Sequence, residues 1–228
     1  MAQAPGIFIV CSGQHRNGKT LLARLLADYL LLEDRDPFLI DLSHPEGALR
    51  AYFPGRTALV DFGHVAGQMK AFDTILGSGS RDYVIDIPAE HLAKFCATAA
   101  SLQFRAELRK AGFNLVVFFI IDKEPESLKD ATQTEEILTP DLFIPVRNAM
   151  VGSALPRRYD GLTLTMPELD PEVVAIVNSR RFSFRTFLLG DEQPVPLRVR
   201  ANLKAFLHTV LSGFGDIAPA LSLLNLRG

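Results

Sequence analysis

The sequence predicts an α/β protein with a mostly parallel central sheet flanked by helices. Three observations lead there. Its apolar runs are short and continuous instead of alternating, as expected of strands buried on both faces. Segments with helical spacing separate those runs, so strands and helices alternate as in βαβ units. The first run also passes through a glycine-bounded loop straight into an amphipathic helix. The chain has 228 residues, 48% of them hydrophobic. That suffices for a substantial core, and without repeats or linker-like tracts it reads as a single domain spanning 1–228.

The elements follow in order. Gly6–Cys11 (GIFIVC) is a buried strand. Lys19–Leu32 is a helix with Leu21, Leu22, Leu25, Leu26, Tyr29 and Leu30 on one wide apolar face. Pro37–Leu42 is a strand ending in acid, His44–Tyr52 a short helix, and Thr57–Phe62 a further strand. Val65–Leu76 is a helix closed by Gly77–Ser80. Asp82–Ile87 is a strand, left through Pro88 and Ala89. Glu90–Ala111 is helical, broken near Ser101 and stopped by Gly112. Asn114–Ile121 is the most hydrophobic strand, Glu124–Leu138 a helix, and Asp141–Val146 a strand with Pro145 near its end. In the last third, Gly161–Thr165 reads as an outer strand, Pro171–Asn178 and Leu197–Leu211 as helices, and Gly190–Pro196 as a loop. The pattern leaves strand order open.

The loop after the first strand carries the chemistry. Gly13-Gln14-His15-Arg16-Asn17-Gly18-Lys19-Thr20 fits G-x-x-x-x-G-K-[ST]. The glycines let the backbone wrap until successive amide N–H groups point at phosphate oxygens. The following helix adds the positive end of its dipole. Lys19 supplies a mobile cation, and the Thr20 hydroxyl is a ligand for Mg²⁺. A buried strand before the motif and an amphipathic helix after it are the context it requires. The fold class is therefore the P-loop NTPase fold, with Gly13 through Thr20 and Leu21 holding the nucleotide.

Ligands of open parallel sheets bind beyond the carboxyl ends of the strands. Three strand candidates end there in acid: Asp41, Asp61 and Asp86. Asp86, after Tyr83-Val84-Ile85, is the candidate for holding Mg²⁺ together with Thr20. Asp41 is the candidate either for reaching the metal or orienting the attacking water, or for making the turn at its strand end. Lys19, Asp41 and Asp86 are thus the expected catalytic set. Asp61 is either a third acid or a cap on the next helix. The glycines of Gly63–Gln68 read either as a mobile loop sensing the γ-phosphate or as a plain helix start.

Three stretches together resemble the ParA/MinD-like ATPases, relatives of dethiobiotin synthetase and the nitrogenase iron protein. One is the loop. The second is Phe38-Leu39-Ile40-Asp41-Leu42-Ser43-His44-Pro45-Glu46-Gly47, beside the family's "LLIDLDPQG". The third is Asp82-Tyr83-Val84-Ile85-Asp86-Ile87-Pro88-Ala89, beside "DYVIIDTPP". The resemblance covers roughly Gly6 to Asn148. It implies an ATP-Mg²⁺ switch whose output is partner binding: a homodimer, an adaptor protein with DNA, or a membrane-bound assembly. It also offers Asn148 as the residue that reads the adenine, where the alternative is an asparagine that ends the strand in a turn. Two departures stand out. The family's first loop lysine, which reaches across a dimer, aligns with Gln14, and Arg16 is a candidate substitute cation. The second acid of the family's "DLD" aligns with Ser43. Both point to slow or partner-dependent hydrolysis. A small-molecule ATP-dependent ligase or kinase, and a non-hydrolysing nucleotide-binding interaction protein, share the same scaffold.

Composition narrows the remaining classes. With 24 basic and 26 acidic residues the net charge is −2, so no strong nucleic-acid signature is present. Arg180-Arg181-Phe182-Ser183-Phe184-Arg185 reads as a solvated face with its phenylalanines turned inward. Cys11 and Cys96 lie in apolar runs and read as buried thiols, not a disulfide framework or zinc site. Met1–Pro5 has no signal-peptide character and the apolar runs are short, so the expected location is cytoplasmic.

Overall fold

The structure is a computed structural model describing residues 4–77, 81–153, 155–156, 159, 161–179, 182–190 and 195–224. Its strands are β1 (Gly6–Cys11), β2 (Phe38–Asp41), β3 (Thr57–Leu59), β4 (Tyr83–Asp86), β5 (Asn114–Ile120), β6 (Leu142–Asn148) and β7 (Leu164–Met166). They form one sheet in the order β3-β2-β4-β1-β5-β6-β7, and every pairing is parallel. The first strand is therefore central, and all six of its residues are buried.

Period-two side-chain alternation splits β1 between two cores. Phe8 and Val10 face one core, built with α1 (Lys19–Leu32), α6 (Pro171–Val177), α7 (Phe184–Leu189) and α8 (Leu197–Leu224). Ile7, Ile9 and Cys11 face the other, built with α2 (Val65–Gly77), α3 (Ala89–Ser101), α4 (Phe104–Lys110) and α5 (Pro125–Leu138). With helices on both faces, continuous apolar strands are the physical requirement, which is why those runs did not alternate.

The break near Ser101 lies at Gln103, whose φ is +50°, and Gly112 ends α4 at φ +78°. The outer strand is present as β7. Phe182 and Phe184 are buried, as are both cysteines, which are free thiols. Two expectations need correction. His44–Tyr52 is a run of turns and not a helix. Pro45 and a left-handed Gly47, at φ +62°, interrupt it, and its amides go to side chains of Asp41 and Ser43. The last helix does not stop at Leu211 but runs to Leu224 through Pro219. Its apolar stripe continues through Phe214 and Ile217, so burial overrides propensity. Gly213 lets it approach β7, because a Cβ there would lie 2.7 Å from Leu164. Residues 78–80, Arg180, Arg181 and the centre of the 190–196 loop lie outside the described residues. Among the described residues, no helix is long and apolar enough to cross a membrane.

Candidate functional site

The carboxyl end of β1 opens between β4 and β5, where the chain turns through residues 12–18 into α1. Ser12, Asn17 and Lys19 are buried there. The Ser12 hydroxyl accepts from the Gln14 amide at 3.2 Å and from the Asn17 side chain, so it folds the loop back on itself. Gly18 adopts φ +95°, a left-handed conformation at the start of α1. A Cβ at Gly18 would also sit 2.7 Å from Asn148 Nδ2, which makes glycine a steric requirement as well. Lys19 Nζ lies over the loop, donating to the Gln14 carbonyl and, at 3.2 Å, to Asn17 Oδ1. Burial lowers its pKa, against the raising effect of Asp86.

Thr20 and Asp86 come together as expected, with Thr20 Oγ1 donating to Asp86 Oδ2 at 2.7 Å. Burial pushes the Asp86 carboxyl up to about 7, opposed by that hydrogen bond and helped by the charge of Asp41. A hydroxyl and a carboxylate at the end of the phosphate loop are the hard oxygen donors that Mg²⁺ takes. They would hold the ion, which would offset charge on the phosphates.

Asp41 is fully buried and lies beside Asp86 in the β2–β4 register. Its carboxylate is taken up by the turns that follow it. Oδ1 accepts from the Ser43 amide at 2.9 Å and the Ser43 hydroxyl at 2.5 Å. Oδ2 accepts from the amides of Leu49 at 2.7 Å and Arg50 at 2.9 Å. These four donors match the roughly four acceptor sites of a carboxylate. Asp41 therefore clamps the 43–50 turns, and Ser43, aligned with the family's second acid, belongs to the same clamp. Asp61 caps its own turn through the Gly63 amide at 3.0 Å. It also lies within 3.9 Å of His44 and 3.6 Å of His64. Gly67 is needed there because a Cβ would meet the Asp61 carbonyl at 1.8 Å.

On the other side of the loop a cleft of about 330 Å³ runs from Arg16, Gly18 and Leu21 to Asn148, Met150 and α6. A larger cavity, about 400 Å³, lies away from the loop between α3, α4 and α5, so volume alone does not locate the site. Arg16 lines the cleft with φ +55°. His15 is exposed on the opposite side of the loop, 3.6 Å from Glu90. Asn148 is buried. Its Nδ2 donates to the Asn17 carbonyl at 2.8 Å, and its Oδ1 accepts from the Met150 amide at 3.1 Å. It therefore braces the phosphate loop while also lining the cleft.

Sequence reasoning passed over several participants. Ser12, just past β1 and outside the loop motif, folds the loop through its hydroxyl. Asp130 of α5 packs on Gly13 so closely that a Cβ there would lie 1.8 Å from Asp130 Oδ2. Asp122, buried after β5, adds its charge to the field at Lys19. An acid ending the most hydrophobic strand was the available signal for Asp122. Nothing in the sequence announced that Val174, Val177 and Asn178 would line the cleft.

No family model and no curated protein matches the sequence. Solved structures do share the fold. A putative plasmid partition protein from Borrelia burgdorferi B31, bound to AMPPNP, superposes with a TM-score of 0.54 at 14% identity, covering 93% of this chain and 99% of that one. The MinD cell division protein of Aquifex aeolicus gives a TM-score of 0.50 at 16% identity, covering 92% and 98%. The chain has the ParA/MinD-like P-loop NTPase fold.

Proposed function

We propose that this chain is an ATP-Mg²⁺-binding switch of the ParA/MinD-like type, with hydrolysis that is slow or depends on a partner. The observation that carries this reading is the joined constellation at the end of β1. Lys19 is held over a wrapped loop, and the Thr20 hydroxyl is bonded to the buried Asp86 carboxylate at 2.7 Å. In this reading the amides of residues 13–21 and Lys19 bind the phosphates, while Thr20 and Asp86 hold Mg²⁺. The base occupies the cleft beside Asn148, whose amide edge suits adenine. The partition-protein neighbour carries an ATP analogue, which supports the choice of nucleotide.

The Asp41 clamp supports slow turnover. A water-orienting role for Asp41 requires the 43–50 turns to release it, so hydrolysis becomes conditional on movement of that segment. A homodimer, an adaptor with DNA, or a membrane-bound assembly is the kind of partner that would drive the release. Gln14 stands where the family has its first loop lysine, so a nucleotide-bridged dimer would lack that lysine's contact unless Arg16 supplies the charge. The same clamp favours, as a second reading, an interaction protein that binds ATP without hydrolysing it.

The test is calorimetry of ATP-Mg²⁺ on wild type and Lys19→Ala, with sedimentation of each with and without ATP. The expected result is saturable binding, weakened about 100-fold in the variant, as follows from loss of a charged hydrogen-bond donor. ATP-induced dimerisation would support the switch. Binding with neither hydrolysis nor a change in mass, with partners supplied, would favour the second reading. Absence of wild-type binding would overturn both.

A further inference from the structure

We infer that Tyr52 is a positioning residue for the base wall of the cleft, tying that wall to the segment clamped by Asp41; this rests on the nucleotide-binding reading above. The wall is the end of α6. That helix has seven residues, too few to be stable alone, and its last carbonyls need partners from elsewhere. Two side chains supply them. Arg24 Nη2, from the helix that starts in the phosphate loop, donates to the Val177 carbonyl at 2.9 Å. Tyr52 Oη donates to the Asn178 carbonyl at 3.0 Å. Val177 and Asn178 are themselves lining residues of the cleft.

Tyr52 also covers Arg24. The guanidinium carbon lies 3.4 Å from the centroid of the Tyr52 ring and 4.9 Å from that of Phe184, close cation–π contacts for a buried arginine. Its backbone is tied in turn to the clamp: the Tyr52 amide donates to the Leu49 carbonyl at 3.1 Å, and the Leu49 amide donates to Asp41 at 2.7 Å. A continuous set of contacts therefore runs from the acid beside Asp86, through Tyr52, to the surface a base would touch. The tyrosine hydroxyl acts on the base half of a nucleotide and leaves the phosphate half alone.

The experiment compares two probes on the full chain with Mg²⁺. ATP has a base, and inorganic tripolyphosphate does not. Tyr52→Phe keeps the ring over Arg24 and removes only the hydroxyl. It is expected to weaken ATP about three- to tenfold, the worth of one hydrogen bond, with tripolyphosphate affinity unchanged and the melting temperature lowered by no more than about 4 °C. Tyr52→Ala, which uncovers Arg24, is expected to weaken ATP further and to lower the melting temperature. Equal ATP affinity in wild type and Tyr52→Phe, or an equal loss for both probes, overturns the inference and leaves the nucleotide reading standing. Wild type that binds neither probe overturns both.

Discussion

The two sides of the phosphate loop are built on different plans. The side toward β2 and β4 is polar and closed. Thr20, Asp86, Asp41 and Ser43 satisfy one another or nearby amides. The side toward β6 and α6 is an open cleft, lined partly by Met150, Val174 and Val177. It is held together by single contacts from distant parts of the chain, Arg24 to Val177 and Asn148 to Asn17. A charged ligand half needs donors fixed in advance, because reorganising them on binding costs affinity. A base needs mainly a shaped apolar slot with a few placed polar groups.

Removing Asp41 is the hardest test of the closed side. Asp41→Ala leaves four donors without their acceptor, some of them buried. Urea unfolding should show a loss of about 3–5 kcal/mol, as for broken hydrogen bonds to a charged group. A loss below about 1 kcal/mol would mean that solvent replaces the clamp easily and the contrast is false.

The contact between α1 and α7, behind the open side, has its own signature in pH. Asp28 of α1 accepts from the Phe184 amide at 3.0 Å, and burial pushes its carboxyl up to about 6. Its folded pKa thus lies above the unfolded value of about 3.9. The folded chain then holds that proton more tightly, and stability falls as pH rises from about 4 to about 6. The loss is on the order of 3 kcal/mol, and Asp28→Asn should abolish it. Wild type and variant are to be compared by urea midpoint at several pH values. Parallel profiles would show that Asp28 is solvated and the α1–α7 contact is looser than described.

Arg16 gives the smallest effect. Glycine visits φ +55° freely, so Arg16→Gly should raise stability by about 1 kcal/mol or less, read from the melting temperature. A drop instead would show that the arginine side chain helps to hold the loop.

The same division governs what could be read from the sequence. The β1–loop–α1 unit and the acid ending β4 were legible because their geometry is local: strand period, glycine, helix dipole. The clamp was not. The spacing around Pro45 and Gly47 suggested a helix, and only the folded turns bring the Leu49 and Arg50 amides back to Asp41. Asn148 could be seen as a strand end, but its bond to the Asn17 carbonyl spans 131 residues of sequence. The α6 wall depends on side chains from α1 and from the turns after β2, and no window of sequence contains both.

The position of β1 has a consequence for synthesis. The first strand made is flanked by β4 and β5, with Ile7 opposite Tyr83 on one side and Gly6 opposite Asn114 on the other. A nascent chain cannot complete the strand that carries the loop until both later strands have left the ribosome, and pairings this distant in sequence are slow to form. The wall from α6 arrives only after residue 177 has emerged, and α7 and α8, which share the core of α1, come later still, so the helix that leaves the loop gains its full packing last.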